Sequence, residues 1–145
     1  MLIDTHCHLY LPEFKDDLNE TINKAIENNV GQIFLPAIDS ETHQQLITLC
    51  NHTKPNCRLL PMMGLHPCSV KENYEHELKI VGDYLNTDTN FVAIGEIGLD
   101  YYWDLTYKEQ QIIALKKQIG YFYKNTKLYL YRIKPTDCCY KVVLY

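Results

Sequence analysis

What this 145-residue chain lacks narrows its class before any motif is read. No apolar run reaches the roughly 18 to 20 residues that span a bilayer, and no basic segment with an apolar one after it precedes the first strand-like stretch, LIDT. Those absences predict a cytoplasmic protein with no membrane partner. Positive charge is short too: 14 Lys and Arg stand against 18 Asp and Glu, a net charge of −4. Such a chain has no overall field for nucleic acid, so any phosphate has to be attracted locally. None of the six cysteines, Cys7, Cys50, Cys57, Cys68, Cys138 and Cys139, forms a CxxC. In a reducing compartment they read as thiols, not as a disulfide framework or a zinc knuckle. No Ser/His/Asp order and no Cys/His arrangement marks a covalent nucleophile, and no histidine follows His76.

What is present is an alternation of short apolar runs with longer amphipathic segments. After LIDT, the stretch FKDDLNETINKAIENNVG places Leu18, Ile22, Ala25, Ile26 and Val30 at helical spacing, with Gly31 as a stop. QIFLPAI reads as a strand, and Ser40 offers an N-cap to the helix ETHQQLITLCNHT, whose Leu46, Leu49 and Cys50 share a side. RLLPMMG is a third strand, and YEHELKIVGDYLN a third helix on Leu78, Val81, Tyr84 and Leu85. NFVAIGEIG is apolar almost throughout, which predicts a strand buried on both faces, and LTYKEQQIIALKKQI begins a fourth helix. Strands joined by helical crossovers run parallel. Four β/α units follow, in a barrel or an open doubly wound sheet, with the site at the carboxyl ends of the strands.

Three separated segments deliver polar groups to that rim. His6 and His8 alternate with Cys7 on a strand read as buried, so both imidazoles point one way and the thiol packs on the other side. The two rings can converge on one cation; the plainer alternative is one hydrogen-bonded core histidine and one solvated. Glu96 sits at the end of an apolar strand between Gly95 and Gly98, where its carboxylate can bridge two cations or else pair with a lysine or backbone amides. His66, extended before Pro67, can project over the mouth toward an anionic substrate, or bond a carbonyl as a loop residue. Asp4 orients an imidazole or faces the pocket. Asp100 positions a water or caps the next helix, whereas Asp104 reads as a cap. His43, His52 and His76 are expected in solvent on polar helix faces. Trp103 with Tyr101 and Tyr102 can stack on a base, but packing over the barrel top is the expectation.

In this order, DTHCHL, GLHP and GEIGLDYY resemble the TatD family of metal-dependent hydrolases, over residues 1 to about 119. The resemblance implies an α/β fold of the (β/α)8 TIM-barrel type, a divalent-metal centre at the carboxyl rim and hydrolysis of phosphodiester bonds in DNA. By it His6 and His8 would ligate one metal and Glu96 would bridge it to a second. His66 would lie near the substrate phosphate and Asp100 would support the rim, leaving Glu96, His66 and Asp100 as the catalytic set. Up to two divalent ions are implied, with magnesium, manganese and zinc all compatible with mixed imidazole and carboxylate ligands. DNA is the implied substrate, and no stable protein partner is implied.

Beyond residue 119 the text changes. GYFYKNTKLYLYRIKPTDCCYKVVLY holds six of the twelve tyrosines, and residues 116–145 balance at +6 where residues 1–115 balance at −10. Where the family would have a fifth strand ending in a histidine ligand, KLYLYRIKP offers Arg132, and the family's later ligands, two histidines and an aspartate, have no matching positions; Asp137 matches none. A full barrel takes about 250 residues. The expectation is an incomplete N-terminal portion of about four β/α units over 1–119 and an atypical Tyr/Lys-rich tail over 120–145. A frameshifted or alternatively spliced origin would explain that tail, and KLYLYRI could add a fifth strand over one edge. An open half barrel would also expose edges through which it could self-associate. Three functions remain in view: a TatD-type deoxyribonuclease with part of its metal centre, a related hydrolase of amides, lactones or esters, and a non-catalytic fragment.

Overall fold

The alternation folds into one sheet of six strands in sequence order. The strands are β1 (Leu2–Asp4), β2 (Val30–Pro36), β3 (Arg58–Met63), β4 (Ala93–Gly98), β5 (Tyr129–Lys134) and β6 (Tyr140–Val142). The helices α1 (Leu18–Glu27), α2 (His43–Asn51), α3 (Tyr74–Thr87) and α4 (Lys108–Lys124) alternate with the first strands. This computed structural model describes residues 1–52, 54–87 and 90–124, and the backbone of 129–134 and 140–142. Asp137, Cys138 and Cys139 lie outside the described residues, as does the side chain of Arg132. Strands β1 to β5 pair in parallel, and β6 returns antiparallel to β5.

The sheet curls. Gln32 to Pro36 pair residue by residue with Arg58 to Met62. Just past that ladder the Ala37 amide lies 3.0 Å from both the Met62 and the Gly95 carbonyls, and the Glu96 amide donates to the Ala37 carbonyl at 3.2 Å. In a flat sheet β2 and β4, with β3 between them, would stand roughly 9.5 Å apart. Direct bonding between them is the curvature of a barrel wall, so the sheet is an incomplete TIM-type barrel. Gly64, just after β3, permits the approach: a Cβ there would stand 2.9 Å from the Gly95 carbonyl carbon.

Ile33, Leu35, Met63, Ile94 and Ile97 meet the inward faces of the helices at Ile22, Leu46, Leu78 and Val81. The opposite sheet face carries a smaller cluster of Met62 and Ala93 with Phe34 and Val92 against it. Every residue of β4 is buried, as its apolar run predicts. The Leu46, Leu49 and Cys50 side of α2 and the Leu78, Val81 and Leu85 side of α3 also face inward.

Several expectations are corrected. β1 is an exposed edge, with Leu2 61 % and Ile3 50 % accessible, because β2 is its one strand partner among the described residues. The α1 helix starts at Leu18 after a 3-10 turn at Pro12–Phe14. It is Asn29, at φ 67°, and not Gly31 that takes the left-handed turn after it, while Gly31 lies inside β2. Thr42, not Ser40, precedes α2, since both the Ser40 amide and its hydroxyl are bound to the Glu77 carboxylate of α3, at 2.9 and 2.8 Å. His43, expected in solvent, is buried in the core. The α4 helix runs unbroken from Lys108 to Lys124, past the composition change.

Candidate metal centre

Backbone bonds set the position of each candidate ligand. Cys7 donates its amide to the Phe34 carbonyl at 3.0 Å, and Asp4 Oδ1 accepts the His6 amide at 2.9 Å, so the segment after β1 is fastened to β2 and to itself. Cys7 packs against the core, as alternation predicts. The imidazoles of His6 and His8 then share one side, Nε2 to Nε2 at 2.9 Å. Glu96 reaches them from β4: its Oε2 lies 3.1 Å from His6 Nε2 and 3.6 Å from His8 Nε2. On the other carboxylate oxygen, Oε1, His66 Nε2 approaches to 3.6 Å. Four of the sequence-selected residues thus meet at the carboxyl rim.

The donor set fits a cation. Ligand atoms about 2.0 to 2.2 Å from one ion stand about 2.9 to 3.5 Å apart at octahedral to tetrahedral angles, close to the three separations between His6, His8 and Glu96. Glu96 is only 4 % exposed, yet its Oε2 has no hydrogen-bond partner among the described residues. A buried carboxylate oxygen left so is costly unless something positive completes it. These three are the group of His, Cys, Asp and Glu side chains among the described residues whose donor atoms all lie within 4.8 Å of one another.

Burial alone would push Glu96 upward, but the surrounding imidazoles of His6, His66 and His8 hold its carboxyl well below the usual carboxylate range. It is therefore an anion at neutral pH. Burial pulls the His66 imidazole down, while the Glu96 carboxylate beside it pulls it up. The backbone sets a limit on that second proton. His66 Nδ1 accepts the Cys68 amide at 3.0 Å, so this nitrogen serves as an acceptor and the ring proton sits on Nε2, facing Glu96.

Sequence reasoning missed the residues that hold this rim in place. Gln118 of α4, fully buried, accepts the Leu65 amide at 2.7 Å and donates to the Leu65 carbonyl at 3.3 Å, which fixes the residue before His66. Two turns earlier Gln111 does the same for Asp100, at 2.8 and 2.9 Å. Their seven-residue spacing on one helix was the available signal. Asp100 itself spends its carboxylate on the Tyr102 amide at 2.9 Å and the Cys68 thiol at 3.4 Å, so its contacts are with the rim loops and not with the three histidines. Asp104 accepts the Thr106 amide at 2.8 Å in the turn leading to α4. Trp103 and Tyr102 do not pack over the barrel top: they are exposed and meet edge to face at 4.8 Å. Among the described residues, Cys50, Cys57 and Cys68 are free thiols.

A family model described as TatD related DNase matches residues 3–127 of the chain. The chain belongs to that family. Among its relatives, the metal-dependent hydrolase YjjV of Escherichia coli, itself uncharacterised, is 32% identical over 118 residues, covering 81% of this chain and 44% of that protein. The human deoxyribonuclease TATDN3 is 30% identical over 110 residues, covering 69% and 38%. The crystal structure of YjjV superposes with a TM-score of 0.79 at 30% identity, over 89% of this chain and 49% of that one. A TatD family hydrolase from Entamoeba histolytica shares the fold at 23% identity, with a TM-score of 0.76. The chain therefore spans less than half the length of the first two proteins. No helix among the described residues is long and apolar enough to cross a membrane.

Proposed function

We propose that this TatD-family chain contributes the N-terminal part of the divalent-metal centre of a hydrolase that cleaves phosphodiester bonds of DNA. His6, His8 and Glu96 are the ligands in this reading, and residues 1–119 the N-terminal portion of its barrel. The observation that carries it is the convergence of two imidazoles and a buried, ionised carboxylate, one oxygen of which has no hydrogen-bond partner among the described residues. A divalent cation supplies Lewis acidity when bound, which makes hydroxide available near neutral pH and offsets charge on non-bridging oxygens. The chain's own groups do the rest. Glu96 provides the negative charge that retains the cation, and His66 holds its Nε2 proton beside Glu96 Oε1, where it can donate to an anionic substrate oxygen. Asp100 keeps the loop after β4 in register with Cys68. The deoxyribonuclease name of the human relative supports DNA as substrate.

Calorimetric titration with manganese, followed by assays on single-stranded DNA and on small amides, tests the reading. The wild-type chain is expected to bind the ion and, where it turns over, to cleave DNA and not amides. Glu96→Ala and His8→Ala are expected to weaken binding by at least about tenfold, or about 1.4 kcal/mol. Unchanged binding in both variants overturns the assignment. Binding without turnover by a folded chain would make it a metal-binding, non-catalytic piece.

A further inference from the structure

The inference rests on the metal reading and adds a residue to it. We infer that Tyr10 is a positioning residue that fixes the tautomer of His8, keeping the lone pair of His8 Nε2 turned toward Glu96.

β1 pairs with β2 only as far as Ile33. Beyond it, the carbonyls of Phe34 and Pro36 lie two residues apart and so project to one side of the strand. The Cys7 amide takes the first at 3.0 Å, and the Tyr10 hydroxyl takes the second at 2.7 Å. A phenol therefore completes a ladder that a backbone amide began. A carbonyl can only accept, so the single phenolic proton is committed to Pro36.

The consequence falls on His8. Its Nδ1 lies 2.9 Å from the same phenolic oxygen. With its proton already given, that oxygen can meet Nδ1 only as an acceptor, which requires the imidazole proton on Nδ1. A neutral ring has one proton, so Nε2 is bare, and it is Nε2 that stands 3.6 Å from Glu96 Oε2 and 2.9 Å from His6 Nε2. The rings of His8 and Tyr10 meet edge to face at 5.7 Å and 81°, and Tyr10 is buried, so the pair has little room to turn. The chain His8 Nδ1–H, Tyr10 O–H, Pro36 C=O thus runs outward from the site in one direction, the arrangement by which an outer partner orients a ligating imidazole.

The test begins with the metal-free, full-length wild-type chain carrying 15N in its imidazoles, at about pH 8, where an ordinary histidine is neutral. Long-range proton–nitrogen correlations are expected to place the His8 proton on Nδ1, with the signal assigned by its loss in His8→Gln. Tyr10→Phe keeps the ring and removes both hydrogen bonds; it is expected to give a mixture of His8 tautomers and to weaken zinc affinity, read by competition with a fluorescent chelator, about 10- to 100-fold. If Tyr10 merely fastens its loop to β2, Tyr10→Phe lowers the melting temperature but leaves tautomer and zinc affinity where they were, and that result overturns the inference. So does a wild-type His8 protonated on Nε2. Should the wild type fail to bind zinc at all, the metal reading fails, while the tautomer measurement still decides what Tyr10 does to His8.

Discussion

His43 carries two ring nitrogens into the core, and neither has a hydrogen bond among the described residues. It is 1 % exposed, with the Tyr84 ring edge-on at 5.6 Å. Burial lowers its pKa, and the nearby Gly64 backbone and the charges of Glu77 and Asp39 offset that only in part. The folded protein therefore holds His43 neutral at pH values where the unfolded chain, with an ordinary pKa near 6.5, takes up a proton. Stability contributed by this site is complete above about pH 6.5 and is lost as the pH falls below it, with a slope of up to about 1.4 kcal/mol per pH unit. His43→Leu is expected to flatten that slope between about pH 5 and 7, and to raise stability at neutral pH by about 1 kcal/mol because no buried nitrogen is left unpaired. Chemical denaturation across the pH range checks both; an unchanged acid slope would exclude the site as its origin. The sequence points His43 to solvent because its polarity is more conspicuous than its position. His43 stands three residues before Leu46 and seven before Cys50, on the inward line of α2. His6, His8 and Glu96 were legible for the converse reason: a strand's end and an alternation place polar groups at a rim whatever packs behind them.

At the scale of elements, parallel pairing was readable because it follows from crossover length and apolar periodicity; strand order was not, since a barrel and an open doubly wound sheet share that pattern. The devices that hold the rim were not, because they join residues far apart in sequence. Gln118 and Leu65 are the clearest case. Seen alone, Gln118 is one more polar residue of α4, yet both of its amide atoms are bonded to the backbone of the residue before His66. Replacing it by leucine keeps the volume and leaves a buried amide and carbonyl unpaired, which costs about 1 to 3 kcal/mol for each group. Gln118→Leu is therefore expected to lower the unfolding free energy by about 2 to 4 kcal/mol, measured by urea denaturation, and to loosen His66 without touching His6 or His8. Equal stability of Gln118→Leu and wild type would show that the clamp is incidental. The early stop of α1 teaches the same lesson on a smaller scale: Asn29 tolerates the left-handed turn, so the glycine two residues on was free to enter β2.

For the molecule as a whole, the open edge is the feature a closed barrel would not have. β1 offers its free backbone beside Met1, Leu2 and Ile3, all of them exposed. Burying such a side chain contributes about 1.5 to 3 kcal/mol, so three of them give a gross gain of the same order as the roughly 4 to 15 kcal/mol that association costs in lost freedom. Self-association through this edge should accordingly be weak, with a dissociation constant in the micromolar to millimolar range. Charge opposes it as well, because each copy carries a net charge of −4 and two copies repel. Salt screens that repulsion over about 10 Å at 0.1 M and about 3 Å at 1 M, so association is expected to strengthen as salt rises. Sedimentation velocity over a concentration series at two ionic strengths reads this directly. Ile3→Lys, which sets a charge on the exposed edge, is expected to shift the chain toward monomer at both salts while leaving the metal-binding groups in place. A wild-type chain that stays monomeric at high concentration and high salt would mean that the edge strand is too short, at three residues, to act as a template.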